Sequence, residues 1–375
     1  MFREKLTKAE IALTFRDVIL LPGYTTIEPH EADVTTFVTK RYRIRIPLIS
    51  SPMDTVTEDK MAIEMARLGG LGVIHRNMPV EREVELVNRV KRAKIGDPEK
   101  ASLDEEGKLL VGAAISPFDF KRAKALDNYT NILVIDVAHF HNKNVIEATK
   151  RLTKLVSSDI IVGNIGTYNA AVDVITLIED VAALRVGISS GTICVTAKVT
   201  GVGAPTLYAV SCVADALREY GLNIPIIADG GMRDVGDIVK ALAGGASAIM
   251  SGYLFAGTEE AAGKIIKVNE KLYKYYRGMG TRAARSQMGK LGRYSISTKE
   301  VEEGVEGLVP YKGKLENVIK ELIAGLKAGM GYVGARNIRE LWEKARFALL
   351  TPQGYEEVAR THVIPLLTET RVQTH

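Results

Sequence analysis

The chain is short of cysteine: only Cys194 and Cys212 occur in 375 residues. Two thiols cannot make the disulfide framework of a small secreted domain, so a reducing, cytoplasmic setting is expected. Long apolar runs are also missing. The apolar stretches are short and bounded by Gly, Pro or charge, which excludes a membrane-spanning helix. The start, MFREKLTKAE, has no hydrophobic region of the kind that directs secretion. Charge of one sign is scarce as well: 50 Lys and Arg face 45 Asp and Glu, and a net +5 does not by itself imply nucleic acid. No low-complexity segment or interdomain linker breaks the chain, so residues 1–375 read as a single domain.

What is present is a hydrophobic content of 46% arranged in recurring short runs. These are Pro47–Ser50, Leu71–His75, Leu109–Ile115, Ile132–Asp136, Asp159–Asn164, Ala183–Gly187, Pro225–Asp229 and Ser247–Gly252. Amphipathic stretches such as EDKMAIEMARLGG, NVIEATKRLTKLV and VGDIVKALAGGA lie between them. Continuous apolar strands alternating with helices signify parallel strands buried on both faces. Eight such units predict an α/β chain closing into a (β/α)8 (TIM) barrel. A doubly wound open sheet is the rival, and it leaves the regular count unexplained.

A barrel carries its chemistry in the loops after the strand C-termini, with phosphate held after the seventh and eighth strands. There the sequence reads ADGGMRDVGD and SGYLFAG. Both loops offer glycine backbone N–H groups that suit a phosphate dianion, although each alone also reads as a tight turn. The long polar stretch AKIGDPEKASLDEEGK, ahead of the third strand, reads as a surface loop. Beyond Gly313 the chain reads as helices followed by an irregular tail.

The positive excess is local. Lys271 to Tyr294 (KLYKYYRGMGTRAARSQMGKLGRY) holds seven Lys or Arg, no acid and four glycines, and so reads as a mobile loop rather than a helix. It lacks the interleaved aromatics of a nucleic-acid platform beyond Tyr273, Tyr275 and Tyr276.

Several residues at the strand ends are chemically equipped. Cys194 lies in the Gly/Ser/Thr-rich loop after the sixth strand, where a nucleophilic thiolate finds exposure and nearby donors. An inert buried thiol is the bland alternative, and it is the reading for Cys212 in LYAVSCVADAL. Thr196 is placed to position a water or leaving group. Asp136 and His139, with His141 beside them, lack a third ligand of familiar metal spacing. Contact with a cofactor is their functional reading, and locally bonded loop histidines the plain one. Asn164 is an amide suited to orienting a carboxamide or a base edge, and Asp229 an acceptor for ribose hydroxyls. Arg293 beside Tyr294 reads as a solvated charge next to a packing aromatic, unless a tight site lets the Arg accept a proton.

Taken together, SSPMDTVTE, GTICVT, IADGGMRDVGDIVKALAGGA, YRGMG and EGVEG…YKG resemble the inosine-5′-monophosphate (IMP) dehydrogenase and GMP reductase family along nearly the whole chain. The resemblance implies the same barrel with a mobile catalytic flap (271–313), a C-terminal extension and assembly as a homotetramer. It implies Cys194 as the nucleophile on C2 of the purine, with hydride passing to NAD and water hydrolysing the thioimidate to XMP. Arg293 and Tyr294 then match the flap dyad whose Arg activates that water, with Thr196 and Glu303 as its proton relay. Thr192, Gly231, Gly252 and Tyr253 fall at phosphate-binding positions and Asp229 at the ribose anchor. Ser51, Met53, Tyr276, Gly278, Met279 and Gly280 complete the nucleotide pocket. Asp136, His139, Asn164 and Gly187 fall where the family contacts NAD. The loop Ser189–Cys194 matches a potassium site of backbone carbonyls from Ser189, Gly191 and Cys194. GMP reductase, which shares the Cys, is the alternative; GRY at 292–294 and DVAHFH at 136–141 look like the dehydrogenase. Tyr253 stands where the family often has Ser, and Ser189 where it has Gly. The family's paired nucleotide-sensing module is missing, its place taken by a short loop within 90–109.

Overall fold

The computed structural model describes residues 1–288 and 301–359. The eight apolar runs become eight strands: β1 (Leu48–Ser50), β2 (Leu71–Ile74), β3 (Val111–Ile115), β4 (Ile132–Ile135), β5 (Asp159–Ile165), β6 (Ala183–Val186), β7 (Ile226–Asp229) and β8 (Ala248–Ser251). They pair in parallel in chain order, and β8 returns to β1 with Ile249 opposite Leu48, so the sheet is a closed barrel. The open-sheet rival is excluded.

The runs are apolar throughout because both strand faces are covered. Ile132 and Val134 of β4 point into the barrel, whereas Leu133 and Ile135 pack outward beneath the helices. The barrel floor is closed by a hairpin of Thr36–Phe37 against Arg43–Ile44, which adds Val38, Tyr42 and Ile44 to the interior. Outside lie α1 (Asp59–Arg67), α2 (Val80–Arg92), α3 (Phe120–Asp127), α4 (Lys143–Thr153), α5 (Tyr168–Leu177), α6 (Thr206–Glu219), α7 (Val235–Ala243) and α8 (Leu315–Val333). Their starts are set by side-chain caps. Asp119, Asn142, Thr167 and Asp234 each accept a backbone N–H from the first turn of the helix that follows, a contact worth about 1 kcal/mol.

Three local expectations change. The described part of the basic segment is a strand (Lys271–Arg277) and a helix (Arg282–Met288), not a loop. The strand is the middle of an antiparallel sheet with Ile265–Val268 and Glu306–Pro310, inserted between β8 and α8. Its pattern was hidden because one of its inward positions is a lysine. Lys274 and Tyr276 are both buried, and Lys274 Nζ donates to the Ala261 carbonyl at 2.6 Å. The loop between α2 and β3 is also less superficial than its composition suggests. Ala101 and Ser102 are buried, and Lys91 meets Asp104 at 2.6 Å. Beyond Gly313, α8 and the helix Ile338–Lys344 match the reading, but Phe347–Leu349 is a strand paired with Val18–Leu20.

One ionisable group ties α2 to α3. The Glu83 carboxylate is fully buried against Arg122, whose Nη2 also donates to the Met78 carbonyl at 2.8 Å. Burial pushes the Glu83 pKa from 4.5 up to about 8, against the pull of Arg122. The native state therefore keeps a proton that the unfolded chain has already released across that interval. Native protein binds more protons there, so stability falls as pH rises from about 4.5 to about 8. The Glu83 contribution has a slope of at most about 1.4 kcal/mol per pH unit. Urea midpoints measured across that range should lose this component in Glu83→Gln.

Candidate active site

The strand C-termini open into a cleft at the mouth of the barrel, where this fold carries its ligand sites. It gathers Ser51 and Met53 after β1, Asp136 after β4, Asn164 near the end of β5, and Gly187 to Thr196 after β6. Asp229 and Gly231 at β7, Gly252 and Tyr253 after β8, Tyr276 to Gly280 and Glu303 complete the wall. Residues as distant in the chain as Ser51 and Gly252 share the cleft because barrel closure places every strand end on one rim, and the insertion between β8 and α8 brings Glu303 to it.

Cys194 is half-buried in this wall. Its Sγ lies 3.2 Å from Thr196 Oγ1 and 3.8 Å from Ser189 Oγ. Thr196 Oγ1 in turn donates to Glu303 Oε2 at 3.2 Å. A thiol, a hydroxyl and a buried carboxylate thus form a continuous chain along which a proton can pass. Backbone bonds hold it in place. Val195 N–H donates to the Glu303 carbonyl at 3.2 Å, and Val305 N–H to the Ile193 carbonyl at 3.0 Å. Gly278 N–H donates to the Val305 carbonyl at 2.9 Å, joining the YRGMG turn to the same strip. Arg277 anchors that turn to the other side of the rim, its Nε donating to both Asp54 carboxylate oxygens at 3.1 Å.

Charged groups beneath the cleft are held by Arg185. Its Nε and Nη2 each lie 2.8 Å from Asp229 Oδ2, and Nη1 lies 3.4 Å from Asp136 Oδ1. Asp136 also meets Arg76, whose Nη2 donates to the Asp136 carbonyl at 3.0 Å. Asn164 Nδ2 donates to Asp229 Oδ2 at 2.8 Å and to the Gly187 carbonyl at 2.9 Å. Among the described residues its buried Oδ1 has no hydrogen-bond partner. An orphaned amide oxygen in a cleft wall is an acceptor awaiting a ligand donor.

Two glycines are dictated by this packing. Gly187 has φ +141°, and a Cβ there would lie 2.3 Å from the Asp229 carbonyl oxygen. At Gly252 a Cβ would lie 2.4 Å from Met53 Sδ and 2.7 Å from the Tyr276 hydroxyl. Tyr276 is itself buried, and that burial pushes its phenol pKa up.

Of the residues singled out from the sequence, His139 stands apart. It is exposed, does not line the cleft, and meets His141 edge-on with centroids 6.3 Å apart. His141 Nε2 pairs with Asp173 Oδ2 at 2.6 Å. Among the described residues no group of three His, Cys, Asp or Glu is placed to hold a metal ion. Arg293 and Tyr294 lie outside the described residues. Cys212 is half-buried in α6, and burial raises its thiol pKa. Arg185 was missed in the sequence. A lone Arg within the apolar strand ALRV was the available signal, since a charge on a barrel strand requires a partner.

The chain matches the family described as "IMP dehydrogenase / GMP reductase domain" over residues 12–362. It is 42% identical to an inosine-5′-monophosphate dehydrogenase of Korarchaeum cryptofilum over 472 aligned positions, covering 96% of this chain and 99% of the relative. It is 41% identical to the enzyme of that name from Cryptosporidium parvum over 393 positions, covering 95% and 96%. With that of Borreliella burgdorferi the identity is 39% over 398 positions, covering 94% and 97%. Since 96% of this chain is about 360 residues, the first alignment leaves roughly 110 positions without a counterpart here, against about 40 for the second. Family match and near-complete alignments agree: this chain belongs to the IMP dehydrogenase / GMP reductase family.

Proposed function

We propose that this protein oxidises IMP to XMP with NAD, the oxidative step toward guanine nucleotides. The observation that carries the reading is the Cys194–Thr196–Glu303 chain on the wall of the cleft at the barrel mouth. Each relative named above is called a dehydrogenase, which favours oxidation of IMP over reduction of GMP.

In the proposed mechanism the Cys194 thiolate adds to C2 of the hypoxanthine ring. NAD supplies the acceptor for the hydride that leaves C2. Loss of hydride leaves a thioimidate between Cys194 and the purine, and water then adds at C2 and releases the thiol with XMP. Thr196 and Glu303 form the relay that moves protons during hydrolysis. Arg293, with Tyr294, activates the water. The Gly231, Thr192, Gly252 and Tyr253 region takes the phosphate, and Asp229, oriented by Arg185 and Asn164, takes the ribose hydroxyls. Ser51, Met53, Tyr276, Gly278, Met279 and Gly280 enclose the base and sugar.

Asn164, Asp136 and Gly187 form the NAD side of the cleft, with His139 at its outer margin. The orphaned Asn164 Oδ1 fits the carboxamide N–H of a nicotinamide. For potassium, the neutral carbonyls of Ser189, Gly191 and Cys194 are suitable donors. The Gly191 carbonyl also accepts the Cys194 N–H at 3.0 Å, so the loop supplies a partial cage. The protein acts as a cytoplasmic homotetramer, and it lacks control through a nucleotide-sensing module.

The test is incubation of purified protein with IMP and NAD, read as growth of the NADH absorbance. Ammonia release from GMP with NADPH would support the reductase instead. Arg293→Ala should slow hydrolysis by about 10²-fold or more and hydride transfer far less. A stopped-flow trace should then show a burst of NADH before a weak steady state. Equal loss of both phases would remove Arg293 from the water-activating role.

A further inference from the structure

Lys312 follows the strand Glu306–Pro310, in the turn that leads into α8. Its backbone N–H donates to the Gly257 carbonyl at 2.8 Å, and a bridge between Thr258 and Gly313 holds the two loops side by side. The side chain runs toward the loop after β8. Nζ donates to the Leu254 carbonyl at 3.2 Å and sits 5.3 Å from the centroid of the Tyr253 ring. Lys312 makes no ion pair with any acid among the described residues. Burial holds its pKa below the ordinary lysine value, with only a weaker opposing pull from Glu321.

Lys312 is unlike Lys274, which is buried in the same insertion. Lys274 spends its ammonium on two backbone carbonyls, those of Glu259 and Ala261. Lys312 has one carbonyl and an aromatic face, and that aromatic ring belongs to a residue of the cleft wall. A half-buried ammonium without a carboxylate gains from any further source of negative charge placed near it. A phosphate dianion entering the cleft beside Gly252 and Tyr253 is such a source.

We infer that Lys312 is a positioning residue for the phosphate end of the cleft. Its ammonium holds the Tyr253 ring in place by a cation–π contact and places a positive charge behind that wall for a nucleotide phosphate. The inference rests on the nucleotide reading proposed above. It gives Tyr253, standing where the family often has Ser, a partner in this chain.

Three variants test it. Lys312→Met keeps the stem and removes the charge, Lys312→Arg keeps the charge, and Tyr253→Leu removes the ring. Cation–π energies of about 0.5–2 kcal/mol correspond to roughly 2- to 30-fold in affinity. Lys312→Met should therefore raise KM for IMP and the inhibition constant of inorganic phosphate about 5- to 20-fold. KM for NAD and the rate at saturating IMP should stay within about two-fold. Lys312→Arg should recover most of the loss, and Lys312→Met should cost less in a Tyr253→Leu background than in the wild type. An unchanged KM for IMP, or a parallel decline of kcat and both KM values, would overturn the inference. If Lys312→Met does not fold, Lys312→Gln carries the same test, since it also removes the charge and must weaken IMP and phosphate while sparing NAD. A wild-type protein that never oxidises IMP defeats the proposed function instead. Calorimetric titration of inorganic phosphate into wild type and Lys312→Arg or Lys312→Met would still decide the role of Lys312.

Discussion

Replacing Cys194 with alanine should abolish NADH formation from IMP, lowering kcat by about 10⁴-fold or more. No other side chain in the cleft wall supplies a thiolate: Cys212 lies in α6, away from the lining residues. The fold should be unaffected. Cys194 is half-buried, and its loop is held by backbone bonds. The expected change in stability is thus within about 0.5 kcal/mol. IMP should still bind, because the ribose and phosphate ends of the cleft are intact. Steady-state absorbance together with calorimetric IMP binding checks both halves. Cys212→Ala, measured alongside, should retain turnover. Substantial NADH production by Cys194→Ala would exclude covalent catalysis through this thiol.

The second large effect is expected at Arg185. Replacement by methionine keeps much of the stem and leaves Asp229 without the guanidinium that contacts it at 2.8 Å through two nitrogens. Asp136 loses one of its two arginines and keeps Arg76. Breaking a buried ion pair by deleting one partner typically costs about 3–5 kcal/mol, since the remaining charge is stranded in a poorly solvated site. Urea unfolding should report that loss. In kinetics, the carboxylate proposed for the ribose and the one proposed on the NAD side are both disoriented. KM should rise for IMP and NAD together, with kcat/KM falling about 10²- to 10³-fold. Arg185→Lys keeps the charge but not the planar fork that bridges both carboxylates, and should fall between the wild type and Arg185→Met. A fully stable Arg185→Met protein with an altered KM for IMP alone would show that Arg185 does not link the two halves.

Much of the barrel was legible because its signal is local. A strand covered on both faces must be apolar at every position, and eight such runs separated by amphipathic segments admit few arrangements. The cleft residues at strand ends were legible for the same reason. Once Asp136, Asn164, Gly187, Asp229 and Gly252 are placed at C-termini, they share a rim. The strand Lys271–Arg277 was not legible, because Lys274 is buried with its ammonium on carbonyls that come from elsewhere in the fold. His139 is a different case. Its neighbour Asp136 turns into the cleft while His139 three positions later lies outside it, a distinction set by the loop path.

By itself the sequence determined the barrel, its chain order and the family to which it is related, since hydrophobic periodicity and motif order are properties of neighbours along the chain. Only the tertiary structure decided which groups act on one another. That Thr196 reaches Glu303 across 107 positions, that Arg185 joins Asp136 to Asp229, and that Lys312 backs Tyr253 all depend on contacts between distant segments. Such contacts exist because closing the barrel and folding the insertion onto its rim desolvate these charges together, and burial makes each require a partner.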